Sequence, residues 1–170
     1  RTKDWILWLP NNSGIWSPEN IKEIQRYGVE SRLTMEKEIG LINIKSSLQY
    51  NFLNAVTTAS YIQNDASINR QLIYTPKNQC QLVLDVSVQQ FVFYYRQSVV
   101  GRVYIDRDNI SYLPGYSPAD IGLEWTSKYI EGKQIVAGVK VFNIFNEDYH
   151  VISYRPMPRA HVLFNLKINL

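Results

Sequence analysis

The sequence predicts an all-β chain: a transmembrane, antiparallel, up-and-down β-barrel segment of about eight strands. Three observations predict it. Apolar and polar residues alternate with period two along almost the whole chain. Every alternating stretch has one apolar and one polar face, and no segment offers a second layer to cover the apolar one. Finally, long and short connections alternate, which sorts the long ones to one end of such a sheet.

The strands follow in order. "DWILWL" opens the chain as the first. "SPENIKEIQRYG" could start a helix, but Gly28 and the alternation beyond it overrule that. There Tyr27, Val29, Leu33 and Met35 oppose Arg26, Glu30, Arg32, Thr34 and Glu36. Ile42, Ile44, Leu48, Tyr50 and Phe52 oppose Asn43, Lys45, Ser47, Gln49 and Asn51. Leu82, Leu84, Val86 and Val88 oppose Gln81, Asp85, Ser87 and Gln89, and Phe91, Phe93, Tyr95 and Val99 oppose Arg96 and Ser98. Ile121, Leu123, Trp125 and Tyr129 oppose Glu124, Thr126 and Lys128. Ile135, Ala137, Val139 and Val141 oppose Gln134, Gly138 and Lys140. "HVLFNLKINL" closes the series, with Leu163 the one apolar residue on its polar face.

The connections carry the asymmetry. "NNSGIWSPEN", residues 57–78, residues 101–118 and residues 146–160 read as long loops. Gly40, Gln89-Gln90 and Glu131-Gly132 mark tight turns. Trp5, Trp8, Tyr27, Tyr95, Trp125 and Tyr129 are expected near strand ends, where amphipathic rings sit at a membrane interface. The first residues already read as strand, so a processed or partial polypeptide is expected.

Composition excludes several classes. The net charge of +3 is small and scattered, which argues against nucleic acid. Cys80 is the only cysteine and has no partner within the chain. His150 and His161, the only histidines, do not supply the three or four convergent ligands of a metal site. Asp106 and Asp108 form a candidate carboxylate pair, but a solvated loop is the simpler account. No phosphate-binding loop and no nucleophile motif is present, so no enzyme is expected; outer-membrane lipases and proteases, which also use barrels, remain the enzymatic alternative.

Several stretches resemble TonB-dependent outer-membrane receptors. "NIFNEDY" is similar to their Asn-Leu-Phe-(Asn/Asp)-x-x-Tyr motif before the last loop. "YRPMPRAHVLFNLKINL" resembles their Pro-x-Pro-Gly-Arg-aromatic entry into the final strand, with Arg159-Ala160 in place of Gly-Arg and Leu170 in place of a terminal Phe or Trp. "RQLIYTPKNQCQLVLDV" and "YGVESRLTME" resemble two earlier strands. "WILWLPNNSGIWSPENI" is most like the vitamin B12 (cobalamin) receptor group.

The resemblance implies the last part of a barrel of about 22 strands, with the plug domain outside this chain. It implies an outer-membrane active transporter of a Gram-negative bacterium that imports cobalamin, haem or a ferric siderophore. The implied partners are outer-membrane lipid, the polypeptide carrying the remaining strands and the plug, and TonB acting through the plug; a surface lipoprotein over the loops stays open. No cofactor is implied. Substrate contacts are expected on the long loops at Trp16, Tyr61, Arg70, Tyr104, Tyr112, Tyr116 and Tyr154, whose rings and charge suit a large planar ligand. A passive porin-like channel and a soluble β-sandwich binding module are the alternatives.

Overall fold

The computed structural model of the chain describes residues 1–10, 15–127 and 133–169. It contains twelve strands in chain order. These are β1 (Thr2–Pro10), β2 (Trp16–Ile39), β3 (Ile42–Ala59), β4 (Asn78–Val88), β5 (Phe91–Val100) and β6 (Val103–Tyr104). The others are β7 (Tyr112–Leu113), β8 (Ala119–Thr126), β9 (Gln134–Phe142), β10 (His150–Ile152), β11 (Arg155–Pro156) and β12 (His161–Asn169). Eight of them form one antiparallel sheet in the order β1-β2-β3-β4-β5-β8-β9-β12, so each strand pairs with its predecessor in the sheet. The pairs β6-β7 and β10-β11 are small hairpins inside two of the loops.

The alternation predicts the faces correctly. Directly paired residues share a face, and the pairing links Leu33 to Leu48, Leu48 to Leu82, Phe93 to Leu123 and Val139 to Phe164 on the apolar side. On the polar side it links Glu36 to Lys45, Lys45 to Asp85 and Arg96 to Asp120. Leu163 pairs with Lys140 and therefore faces the polar side. No protein layer covers the apolar face: Leu33 is 70% exposed, Leu166 70% and Phe164 78%. A β-sandwich would bury these residues. The buried apolar side chains are instead Ile21, Ile24, Ala55, Ile73, Val103 and Ala119. All lie at the end of the sheet that carries the long loops, where the chain folds back on itself.

The short connections hold as read. Gly40-Leu41 and Gln89-Gln90 join β2 to β3 and β4 to β5, with positive φ at Gly40 (59°) and Gln89 (52°). The turn expected at Glu131-Gly132, and Tyr129 with it, lies outside the described residues. Residues 60–77, 101–118 and 143–160 form the long loops.

Four expectations are corrected. Most of "NNSGIWSPEN" that is described is strand, because β2 starts at Trp16 and Pro10 pairs with Trp16. Pro18 is no barrier, since β2 beyond Glu23 pairs with β1 alone and an open edge tolerates proline. The loop read from residue 57 starts only at Ser60, after a one-residue shift in the β2-β3 pairing next to Ile24. The loop read from residue 146 starts earlier, since β9 ends at Phe142. Tyr95 is mid-strand rather than at a strand end, and Trp5 and Trp8 belong to the β1-β2 extension beyond the other strands. Tyr27 too is mid-strand in β2, two residues above the level of the first residue of β4, whereas Trp125 lies next to the lower end of β8 as expected.

The sheet is open and staggered. Among the described residues β1 pairs only with β2, and β12 only with β9. Below Ile24, β2 has a neighbour on its β3 side alone. One row of paired residues runs Ile39, Ile42, Val88, Phe91, Trp125, Ala137, Leu166. It starts at the lower end of β2 but leaves Lys167, Ile168 and Asn169 still below it in β12. At the other end β2 rises far above β12. This progressive slip is what a tilted barrel wall requires.

Candidate functional site

Two neighbouring regions at the long-loop end gather the chemistry. The first is a loop cluster centred on Arg107. Its guanidinium donates to Glu19 of β2 at 2.9 Å and to Asp65 of loop 60–77 at 2.7 Å. Asn109 and Gln71 are bonded reciprocally, with the Gln71 amide donating to Asn109 Oδ1 (2.8 Å) and Asn109 Nδ2 donating to the Gln71 carbonyl (3.0 Å). The buried Gln71 side chain also accepts from the Ala55 amide and donates to the Leu53 and Thr75 carbonyls. One glutamine therefore stitches β3 to two stretches of loop. Burial pushes the Asp65 carboxyl up, but hydrogen bonds from Ser60 and Ser67 and the Arg107 charge outweigh it and hold it below the ordinary carboxylate value.

Asp106 and Asp108 lie close together in the turn between β6 and β7, and their side chains interact. Asp106 Oδ2 accepts from the Ser111 amide at 2.7 Å and shapes the turn between β6 and β7. No group of three His, Cys, Asp or Glu side chains converges on a metal position among the described residues.

The second region is a cavity of about 520 Å³ on the polar face, beneath loops 101–118 and 143–160. Its walls include two face-paired sets of rings. Tyr116 stacks on Tyr149 at 4.6 Å, and Phe142 stacks on His161 at 4.8 Å. His161 Nδ1 lies 2.8 Å from the Arg159 carbonyl, which can only accept, so Nδ1 carries the proton in this contact. Burial raises the Tyr116 and Tyr149 phenols above their ordinary value, so both remain neutral hydrogen-bond donors at physiological pH.

Asn143, the first residue of the "NIFNEDY" motif, holds this region in shape. Its amide donates to Asp120, its Nδ2 donates to the Glu147 and Pro158 carbonyls, and its Oδ1 accepts from the Glu147 amide. Glu147 in turn accepts from the Ser117 amide, which ties the motif to loop 101–118 and sets Tyr149 against Tyr116. Asn143 is 3% exposed and adopts a positive φ of 49°, a conformation asparagine tolerates better than most residues.

The seven loop residues singled out in the sequence do not form one site. Tyr104 and Tyr112 pair across β6-β7, and Arg102 lies over both rings at 5.7 and 5.5 Å. Trp16 packs on Tyr74 at 5.4 Å. Tyr61 donates to Asp4 at 2.7 Å and lies under Lys22. Arg70 is exposed, Tyr154 is 96% exposed, and Tyr116 alone of the seven lines the cavity. Arg96, Phe142, Tyr149 and His161 also line it and were not expected as site residues. Arg96 read only as a strand residue, and Phe142 was not singled out. Tyr149 was visible as the tyrosine of the motif, without an assigned role.

These features define a class: a wall segment of an up-and-down β-barrel with a loop-covered polar face. The comparisons agree with it in fold. The chain is similar in structure to BauA, the ferric preacinetobactin receptor from Acinetobacter baumannii, with a TM-score of 0.65 and 17% identity, over 96% of this chain and 25% of that one. It is also similar to the ferric yersiniabactin uptake receptor FyuA from Yersinia pestis, with a TM-score of 0.50 and 13% identity, over 89% of this chain and 29% of that one. The chain thus spans about a quarter of the length of the receptors it matches. No protein-family model and no curated protein matches the sequence.

Proposed function

We propose that the chain forms wall and surface loops of a TonB-dependent active transport receptor in the outer membrane of a Gram-negative bacterium. The observation that carries this reading is the agreement in fold of nearly the whole chain with a quarter of a ferric siderophore receptor. The uncovered apolar face supports it, because lipid is the layer such a face lacks. So does the polar face, whose charged groups Arg26, Glu30, Arg32, Glu36 and Lys45 suit contact with a plug domain and water. The role is transport rather than catalysis, with energy delivered by TonB through a plug carried on the polypeptide that supplies the remaining strands.

Among scarce nutrients, a ferric siderophore is favoured over haem and cobalamin, since both similar structures are receptors for ferric siderophores. The cobalamin reading rests on "WILWLPNNSGIWSPENI" alone, and residues 11–14 of that stretch lie outside the described part. The test is iron uptake by cells that carry or lack the receptor gene, with TonB intact or deleted. Uptake of a ferric chelate that needs both genes is the expected result. Uptake that persists without TonB would point to a passive channel and sink the proposal.

A further inference from the structure

We infer that residues 102–114 form a rigid strap that swings as one body about Gly101 and Gly115 and is latched at its tip to loop 60–77 and to β2. The inference rests on the loop geometry and holds whatever the cargo. The strap rises from the top of β5, yet Arg107 near its tip reaches Glu19 of β2, with β3 and β4 lying between those strands in the sheet. It therefore leans across the upper ends of two strands, and most of what holds it there is at its far end.

Three features carry it. First, the strap is knit within itself. Val103 and Tyr104 pair with Leu113 and Tyr112, the Ile105 amide donates to the Ser111 carbonyl at 3.1 Å, and the Arg102 guanidinium lies over both tyrosine rings. Second, its base is fixed and narrow. The Gly101 amide donates to the Asn78 carbonyl at 2.9 Å, and Val100 and Tyr116 exchange backbone bonds of 2.8 and 3.0 Å. A Cβ added at Gly115 would stand 2.7 Å from the Val100 carbonyl oxygen, so glycine is what lets the two legs approach. Glycine also absorbs changes of φ and ψ at low cost, as a hinge must. Third, the latch is polar. It consists of the Arg107 pairs with Glu19 and Asp65, the two Asn109-Gln71 bonds, and the Tyr74 amide donating to the Tyr104 carbonyl at 2.8 Å. Val103 is the one buried side chain of the strap, so release separates little apolar surface and exchanges the latch bonds for bonds to water. Tyr116, anchored on the far side of the hinge, stays in place.

The experiment uses the intact receptor that carries this chain, purified in detergent, without cargo or TonB, so its failure is distinct from a failure of uptake. Hydrogen exchange is read at two amides: Tyr74, bonded across the latch, and Ile105, bonded within the strap. Arg107→Gln should lower the protection of Tyr74 by about tenfold, the worth of one charge-assisted contact, and leave Ile105 unchanged. The swing itself is read from the distance between spin labels on Asn20 of β2 and Ile110 of the strap, both exposed, after Cys80 and any other native cysteine are replaced. The parent should give one narrow distance. Arg107→Gln combined with Asn109→Ala should add a second, longer one of similar width, and Gly101→Ala in that background should shrink the second population. Protection lost at Tyr74 and Ile105 together overturns the inference, since the strap then melts instead of swinging. Tyr74 unmoved by Arg107→Gln overturns it too, because Arg107 is then no latch. So does a single unchanged distance, a diffuse spread, or a second population indifferent to Gly101→Ala. If Arg107→Gln does not fold, as judged by heat-modifiable migration, Glu19→Gln and Asn109→Ala carry the test by the same criteria.

Discussion

Removing Arg107 should separate two loops that the wild-type chain holds together. Arg107→Gln leaves Glu19 and the nearly buried Asp65 without their cation, and uncompensated polar groups of this kind cost about 1–3 kcal/mol. Faster hydrogen exchange at Gln71 and Asn109, with little change in the strands, is the expected signature; unchanged exchange there would refute it. The same contact has a pH dependence. The folded state holds the Asp65 carboxyl below its ordinary value, so its contribution is complete above about pH 4 and is lost as pH falls through the lowered folded value. Protection of the Gln71 amide, taken relative to its intrinsic exchange rate at each pH, should therefore be flat at mildly acidic pH and fall only under strong acidification. A second residue-scale case is Gly122. A methyl group there meets the Tyr94 ring, so Gly122→Ala should lower the thermal stability of the barrel. Tyr94→Ala should relieve much of that loss, with a coupling of about 0.5–3 kcal/mol in a double-mutant cycle. Additive losses would remove the steric explanation.

At the scale of the strand, facing decides the outcome of a substitution. Leu33 and Thr34 are adjacent in β2 at nearly the same depth and point to opposite sides. Leu33→Arg should cost about 2–4 kcal/mol on refolding into vesicles, whereas Thr34→Arg should cost little. Equal costs would mean that the apolar face is not in lipid. These faces were legible in the sequence because a period of two is a local property, readable from Tyr27 to Met35 without knowing any partner. Strand length was not legible in the same way. The β1-β2 extension lacks the clean alternation of the rest of β2, since "WILWL" is apolar throughout and Ile21 and Ile24 differ in parity, and nothing in "SPENIKEIQ" says that β3 has already ended beside Glu23. The loops were the least legible part. Hairpins of two residue pairs such as β6-β7 carry no periodicity, and long-range partners such as Arg107 with Asp65, or Asn109 with Gln71, leave no trace in the residues between them. The cavity was missed for a related reason: Arg96, Phe142 and His161 lie on β5, β9 and β12, which only the pairing through β8 brings into one stretch of sheet.

For the molecule as a whole, the open sheet sets the expectation. The free edges of β12 and of lower β2 expose unpaired backbone groups, which lipid cannot satisfy. Expressed alone, the chain should fail to form a heat-modifiable, detergent-stable monomer, and a polypeptide supplying the remaining strands should restore one. A closed, stable monomer of this chain alone would contradict that. The stagger described for the row from Ile39 to Leu166 bears on how any experiment on this wall should be laid out. In a tilted wall, residues joined by hydrogen bonds do not lie at equal depth in the bilayer. A set of probes meant to report one membrane level must step along each successive strand, cutting across the paired rows. Depth measured with labels on Ile42, Phe91 and Leu166, which share a row, should differ steadily from one side of the segment to the other, and the gradient would give the inclination of the strands directly.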